Sequence, residues 1–238
     1  MEYERASSLA QALGLLARLG PDARVLAGGH SLIPMMKLRL VDVDYLVDIN
    51  DLTELEFIRI GHDTVTIGAL TRHRDLLASD ALAEVFPIFR DAERVIADPV
   101  VRNRGTIGGS LCQADPSEDL SSVCMTLNAR CVVRGLAGER EVSMEEFYRG
   151  PYETAVGAGE LLTEVRIPIR AGGSSAYAKV DRRAGEWAVV AAGAALWMEE
   201  STITDVRVGL TAAGPHPVGI PAIAQQLTGR AADEESWD

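Results

Sequence analysis

Cysteine is scarce in this chain, and the chain has neither an excess of positive charge nor a long hydrophobic run. Its three cysteines, Cys112, Cys124 and Cys131, form no Cys-x-x-Cys pair. They therefore cannot supply the four thiolates of an iron–sulfur cluster or of a structural zinc site, and we expect free thiols in a reducing compartment. A formal net charge of −12 argues against a general nucleic-acid or anionic-membrane binder, because both need a positive field.

Targeting and nucleotide-binding signatures are also missing. No apolar run is long enough to span a bilayer, and the first residues, Met1-Glu2-Tyr3-Glu4, carry acid where a signal peptide carries base. The sequence has neither the Rossmann G-x-G-x-x-G fingerprint nor the lysine of a P-loop beside its glycines. These absences predict a cytoplasmic globular protein and make a Rossmann or nucleoside-triphosphatase fold a poor interpretation.

Two short loops that each contain a pair of glycines are the most informative motifs present. The first reads Ala27-Gly28-Gly29-His30-Ser31-Leu32, and the second reads Thr106-Ile107-Gly108-Gly109-Ser110. A single Gly-Gly pair usually marks a tight turn. Two such loops, each following an extended segment, predict instead a surface on which backbone N–H groups converge. Such a surface binds a diphosphate without requiring cationic side chains.

Helical and extended patterns are mixed along the chain rather than alternating strictly, which predicts the α+β class. Ser7 or Ser8 is predicted to cap a first helix, Thr71 a second helical region, and Asp115 a helix with Pro116 at its first position. A last helix is predicted over 221–227, before a frayed acidic tail, and the best linker candidate is 172–175. Predicted strands cover 24–27, 45–49, 55–60, 64–70, 129–134, 140–142, 161–169, 176–180, 187–198 and 202–211. Leu9, Leu13 and Leu16 form the apolar face of the predicted first helix, and Gly61-His62-Asp63 is predicted to join the strands at 55–60 and 64–70 as a hairpin.

The two glycine loops, together with Glu160-Leu161-Leu162-Thr163 and Ala176-Tyr177-Ala178-Lys179, resemble the flavin-binding subunits of the molybdenum hydroxylases over nearly the whole chain. The resemblance implies a two-part FAD-binding domain of the vanillyl-alcohol oxidase/PCMH type over residues 1–171. A small three-stranded antiparallel sheet with a helix would follow over 175–238. That second part would be a shortened form of the C-terminal domain found in carbon monoxide dehydrogenase flavoproteins.

The resemblance also implies FAD as the cofactor and as the redox group, with no catalytic side chain and no metal. The two loops would hold the FAD diphosphate from opposite sides, and Ala97 would contact the flavin side. The predicted cofactor-binding residues are Ala27, Gly28, Gly29, His30, Ser31, Leu32, Ala97, Thr106, Ile107, Gly108, Gly109, Ser110, Asp119, Leu161, Lys179 and Trp187.

Several of these assignments have a plain structural alternative. Asp119 would bond the ribose or adenine end of FAD, or it is an acid that favours the first turn of a helix. Lys179 would lie near the flavin, or it is an ordinary lysine at a strand end. The family tends to have Gly-Asp-Tyr where this chain has Gly185-Glu186-Trp187, so Trp187 either stacks on the isoalloxazine ring or belongs to the core.

The implied function is electron transfer within a complex. A large molybdopterin-binding subunit and a small subunit with [2Fe–2S] clusters would be the partners, in a dimer of heterotrimers, and this FAD would pass electrons to an external acceptor. Two alternatives stay open: a free-standing FAD-dependent oxidoreductase acting on a small substrate, and a non-catalytic binding or assembly module. The sequence identifies neither the substrate nor the acceptor, which could be NAD, a quinone or oxygen.

Overall fold

The computed structural model describes residues 1–233, and the end of the acidic tail lies outside them. No helix in this described part has the length and apolar character needed to cross a membrane. The helices are α1 (Leu9–Leu19), α2 (Leu32–Lys37), α3 (His73–Ala78), α4 (Asp80–Val85), α5 (Pro87–Val95), α6 (Pro99–Arg102), α7 (Ile107–Gln113), α8 (Asp119–Thr126), α9 (Met144–Phe147) and α10 (Pro221–Leu227). The strands are β1 (Glu2–Arg5), β2 (Ala23–Leu26), β3 (Tyr45–Asp48), β4 (Ile58–Ile60), β5 (Thr64–Gly68), β6 (Arg130–Gly135), β7 (Gly138–Ser143), β8 (Tyr148–Gly150), β9 (Glu153–Thr154), β10 (Leu161–Pro168), β11 (Gly173–Val180), β12 (Val190–Glu199), β13 (Thr202–Thr211) and β14 (Val218–Gly219).

The first part of the fold is a small parallel sheet covered by α1. Strand β3 lies in the centre, with β1 and β2 parallel to it on either side. Helix α1 begins where the Ser8 hydroxyl accepts a hydrogen bond from the Gln11 N–H, as the sequence predicts. Its buried face, which includes Leu13 and Leu16, packs with Val47 of β3 in a separate hydrophobic core. The first glycine loop therefore leaves the sheet directly after β2.

The second part is an antiparallel five-stranded sheet in the order β4-β5-β10-β6-β7. The predicted hairpin at 61–63 joins β4 to β5. Helices α3, α4, α5, α7 and α8 bury their apolar sides in one large core with this sheet, around fully buried residues such as Phe89 and Phe147. The N-terminal portion of the chain thus has two cores, which agrees with the predicted two-part architecture.

The C-terminal region is a four-stranded antiparallel sheet, not the three-stranded one predicted, because the short strand β14 adds to β13. The predicted linker is also wrong in part, since β11 already begins at Gly173. The sheet lies against α8, where the Thr126 hydroxyl donates to the Gly193 carbonyl of β12. Backbone bonds from Gly229 to Ile203 and from Ala232 to Ser201 hold the chain after α10, so this stretch is not frayed.

Two predicted helix caps are wrong. The Thr71 hydroxyl bonds the backbone of Phe57 instead of capping α3. Helix α8 begins later than predicted, and its cap is the carboxylate of Glu118, which accepts from the Leu120 and Ser121 N–H groups. Asp115 closes a turn by accepting from the Ser117 N–H. In both cases the side-chain oxygen that the sequence predicts as a helix cap bonds a different group in the fold.

Candidate functional site

A cavity of about 720 Å³ lies where the two parts of the N-terminal region and the C-terminal sheet meet. Its volume falls within the roughly 300–1,000 Å³ typical of cofactor and ligand sites. The first glycine loop forms one wall, α7 and the second loop form another, and the segment Gly185-Glu186-Trp187 forms a third. The cavity therefore depends on all three regions of the chain.

The first loop offers backbone donors. Among the residues that the structure describes, none of the backbone N–H groups from Gly28 to Leu32 donates a hydrogen bond to the protein. The carbonyls of Gly29 and Ser31 accept from the first turn of α2, which holds the loop in place. These half-buried or exposed residues line the cavity, and successive unbonded N–H groups are suited to bonding an anion.

The second loop differs, because its amides already have acceptors. The N–H groups of Ile107 and Gly108 donate to the carbonyls of Thr71 and Ala69, and Ser110 donates to Thr106. The Gly109 N–H donates to the Thr106 hydroxyl, which caps α7. Contact with an anion from α7 would therefore come from a side chain, and Ser110 and Gln113 are polar residues of this helix that line the cavity.

Close packing explains why both loops need glycine. A Cβ on Gly28 would lie 2.3 Å from the Arg104 carbonyl oxygen, and one on Gly108 would lie 2.7 Å from the Ala69 Cβ. Both distances are shorter than any ordinary contact. The first loop thus packs on the backbone just before the second loop, and the second loop packs on Ala69 after β5, so glycine is required at both positions by the fold itself, whether or not a ligand is bound. The glycine pairs alone do not decide against a non-catalytic module.

A buried arginine links the two loops. The Arg72 guanidinium donates to the Arg104 carbonyl and to Asn50 Oδ1, and the Asn50 amide donates to the Ala27 carbonyl at 2.7 Å. Both direct acceptors of this guanidinium are neutral, and burial lowers the pKa of Arg72. Its positive charge therefore lies close behind the loops, where it favours a negative ligand.

The third wall joins the N-terminal region to the C-terminal sheet. Ala97 adopts a left-handed backbone with φ 45°, and its carbonyl accepts from Arg102 at 3.0 Å. A Cβ on Gly185 would lie 2.8 Å from that same carbonyl. This contact brings Trp187 to the cavity, where its side chain stays 55% exposed. Such exposure excludes Trp187 from the core.

Asp119 connects α8 to the C-terminal sheet. Its carboxylate accepts from the Tyr177 hydroxyl at 2.6 Å and from Lys179 Nζ at 2.9 Å. Burial raises the pKa of Asp119, although the bond from Tyr177 and the charge of Lys179 oppose that rise. The Lys179 ammonium also donates to the Val95 carbonyl at 3.2 Å. Lys179 thus lies behind the cavity wall in a buried ion pair.

A buried histidine bonds directly to a cavity residue. His73 Nδ1 is 3.0 and 3.1 Å from the two oxygens of Glu93, and His73 Nε2 is 3.0 Å from the Ser110 hydroxyl. His73 is 2% exposed and Glu93 is fully buried. Burial alone lowers the pKa of His73, but the negative charges of Glu93, Glu118 and Asp119 outweigh it and raise that pKa overall.

All predicted site residues except Ile107 and Lys179 line this cavity. The Ile107 side chain is fully buried in the core. Contact of each residue with the cofactor stays a prediction. Sequence reasoning missed five residues around the cavity, which lie in α3 and α5, directly before α3 and α8, and after β3: His73, Glu93, Arg72, Glu118 and Asn50. For Arg72 and His73 the only sign in the sequence was their position shortly after the predicted strand at 64–70.

The fold and the cavity define an α+β protein whose cavity presents a run of unbonded backbone amides. Comparison with known proteins identifies the family and its cofactor. Residues 1–170 match the model of the FAD binding domain in molybdopterin dehydrogenase, and residues 175–238 match the CO dehydrogenase flavoprotein C-terminal domain.

Individual relatives agree over the full length of the chain. The carbon monoxide dehydrogenase medium chain of Afipia carboxidovorans is 41% identical over 238 residues, which is 100% of this chain and 83% of that protein. The glyceraldehyde dehydrogenase medium chain of Sulfolobus acidocaldarius is 37% identical, over 98% of this chain and 83% of that one. A solved structure of carbon monoxide dehydrogenase from Hydrogenophaga pseudoflava matches with a TM-score of 0.95 and 38% identity, covering 99% of this chain and 83% of its own.

The chain belongs to the FAD-binding medium subunits of the molybdenum hydroxylase family. Its cofactor is FAD, and its class is oxidoreductase, as the resemblance in the sequence predicts. An FAD-binding domain followed by a small antiparallel sheet is likewise confirmed at the level of the fold.

Proposed function

We propose that the free amides of Gly28 to Leu32 hold the diphosphate of FAD in the 720 Å³ cavity. This run of unbonded N–H groups is the observation that carries the proposal, because five amides on one wall of the cavity are available to donate to the same anion. The Ser110 hydroxyl completes the site from the opposite wall. The positive charge of Arg72, buried behind both loops, adds long-range attraction for the diphosphate.

The remaining predicted contacts follow from this orientation. We assign Ala97 and Trp187 to the flavin end, because they lie together where the C-terminal sheet meets the cavity. The exposed face of Trp187 is free to stack on the isoalloxazine ring. Asp119 lies at the cavity beside Lys179, and we assign it to the ribose or adenine end. In this proposal Lys179 holds the Asp119 carboxylate through their ion pair and affects the cofactor by way of Asp119.

Bound FAD supplies reversible uptake of electrons, and the protein supplies orientation and electrostatics for it. We propose that this chain works between a small subunit with [2Fe–2S] clusters and an external acceptor. A large molybdopterin-binding subunit would oxidise the substrate, in a dimer of heterotrimers. Support comes from the relatives, which are named as medium chains of dehydrogenases. Because the substrate would be selected on the large subunit, this chain carries no substrate assignment.

Three finer assignments belong to the same proposal. The FAD domain is of the PCMH type over residues 1–171, and the C-terminal domain covers 175–238. The location is cytoplasmic, which the free cysteines favour because an exposed thiol such as that of Cys112 persists in a reducing compartment.

The direct test compares FAD with riboflavin, which has the same ring and ribityl chain but neither the diphosphate nor the adenosine. Apoprotein would be titrated with each, and binding would be followed by quenching of flavin fluorescence. We expect FAD to bind at least about a hundredfold more tightly, since two charge-assisted hydrogen bonds are worth that much. Equal affinity would overturn the assignment of the loop to the diphosphate. No binding of either flavin would instead support the non-catalytic module.

A second experiment tests the partners. The holoprotein would be purified from its native organism under mild conditions and sized by gel filtration. A stable heteromer containing molybdenum and iron supports the electron-transfer subunit. A monomeric flavoprotein that turns over a small substrate by itself would favour the free-standing oxidoreductase.

A further inference from the structure

Ser110 is the cavity residue whose hydrogen-bonding direction the protein controls. Its hydroxyl is 3.0 Å from His73 Nε2, and the other ring nitrogen lies between the two oxygens of Glu93. A carboxylate accepts hydrogen bonds and does not donate them, so Nδ1 carries a proton in both the neutral and the charged ring. The only proton that can vary on the ring is therefore the one on Nε2, next to Ser110.

That proton decides what Ser110 presents to the cavity. With a neutral ring, Nε2 is an acceptor, and the Ser110 O–H must point to it, leaving only lone pairs toward the cavity. With a charged ring, Nε2–H donates to the Ser110 oxygen, and the hydroxyl proton is free to bond an anion. The charged ring also adds a positive charge close to the anion.

We propose that the Glu93–His73 pair turns the Ser110 hydroxyl toward the diphosphate of the dinucleotide, and that the ring takes up one proton from solvent as the dinucleotide binds. His73 is thus a positioning residue that acts through Ser110. The inference rests on the proposed function, since it requires the diphosphate to lie in this cavity.

The surroundings of His73 suit a charge that changes on binding. Glu93 faces the ring from α5, and Glu118 and Asp119 act on it from the start of α8. Asp119 is paired with Lys179. Burial raises the pKa of Glu93, and the interactions with His73 and Arg102 oppose that rise. These groups favour a protonated ring, and burial opposes it. A dianionic ligand on the cavity side of Ser110 would further favour the protonated ring of His73.

The test measures proton uptake by the full chain. Isothermal titration of apoprotein with FAD in two buffers of different ionisation enthalpy, from about pH 6 to about pH 9, counts the protons bound. We expect up to one proton per FAD, and an affinity for FAD that falls by up to about tenfold per pH unit above the pKa of His73 in the free protein. Riboflavin should show neither effect, because it lacks the diphosphate.

Variants locate the proton. In His73→Gln the uptake and the pH dependence should both disappear, while the matched change His62→Gln, at an exposed histidine, should leave both as in the wild type. Ser110→Ala should weaken FAD binding most on the acid side of the titration. If His73→Gln does not fold, 15N NMR of the wild-type ring reports the same proton, absent from Nε2 without FAD and present with it.

The outcomes separate the two proposals. Tight FAD binding without proton uptake, or a His73→Gln protein with the wild-type pH dependence, would overturn the role of His73 and leave the diphosphate site intact. Failure of FAD to bind would remove both.

Discussion

Adding one methyl group at Gly28 tests whether the approach of the two loops is as close as the structure has it. In Gly28→Ala the new Cβ would lie 2.3 Å from the Arg104 carbonyl oxygen and 2.8 Å from the Gly105 Cα. The first distance is about 1.1 Å short of ordinary van der Waals contact. All the opposing atoms belong to the backbone, so no rotation of a flexible side chain can relieve the overlap.

The loops must therefore separate, and the separation has a calculable effect. Arg72 holds the Arg104 carbonyl in place and, through Asn50, the carbonyl of Ala27, so moving Arg104 strains this link as well. Overpacking of this kind typically costs about 1–3 kcal/mol. We expect the free energy of unfolding to fall by about 2–3 kcal/mol, which corresponds to a Tm about 4–12 °C lower for a chain of this size.

Urea unfolding followed by circular dichroism measures this loss, and FAD titration should show weaker binding in the same variant. Gly14→Ala is the matched control. A Cβ on Gly14 meets nothing within 4 Å, and the position lies inside α1, where alanine is better than glycine by about 0.5–1 kcal/mol. The control should therefore be more stable than the wild type. If Gly28→Ala unfolds at the wild-type urea concentration, the loops are not packed as described.

Three further predictions concern the groups around the cavity. Lys179→Ala should lower the free energy of unfolding by about 3–5 kcal/mol, because it leaves the Asp119 carboxylate buried without its cation; urea unfolding measures this, and Lys179→Ala with Asp119→Ala should recover part of the loss. Burial raises the pKa of Glu118 from 4.5 to about 7, so the folded state holds a proton that the unfolded chain releases, and stability should decline from about pH 4.5 to about pH 7. Glu118→Gln should remove about 3 kcal/mol of that decline, and an unchanged pH profile of unfolding would contradict the reasoning. Trp187→Ala should change the free energy of unfolding by less than about 0.5 kcal/mol, because the side chain is 55% exposed. The same change should weaken FAD binding about 3- to 10-fold, because stacking on the flavin is lost. An FAD affinity equal to that of the wild type would remove Trp187 from the site.

Local patterns in the sequence predicted much of the architecture. The Ser8 cap and the leucine spacing of α1, the hairpin between β4 and β5, and the three long C-terminal strands each depend on residues close together in the chain. Hydrogen bonds within a turn and the periodicity of apolar residues are short-range features, so a sequence pattern can predict them. The two glycine loops belong to the same class of signal, because a turn that only glycine can make is visible in the sequence.

The helix caps show where local reasoning ends. Asp115 and Thr71 have the right residue type and spacing for a cap, yet Thr71 bonds Phe57 and the cap of α8 is Glu118. Glutamate is an unusual cap, and it acts here because its buried carboxylate finds two free N–H groups at one helix start. Which oxygen reaches an unbonded amide is settled by packing, not by sequence spacing alone.

The sequence by itself determined the α+β class, the family and the two loops that form the cavity walls, since these depend on local patterns and on motifs that read along the chain. Only the tertiary structure decided that the amides of the first loop make no hydrogen bonds to the protein, while those of the second loop donate to acceptors within the protein. It also decided that Lys179 pairs with Asp119, and that His73 and Glu93 stand behind Ser110. Those contacts join residues that are 20 to 60 positions apart. They exist because the sheets and helices are packed to within hydrogen-bonding distance, which no spacing in the sequence encodes.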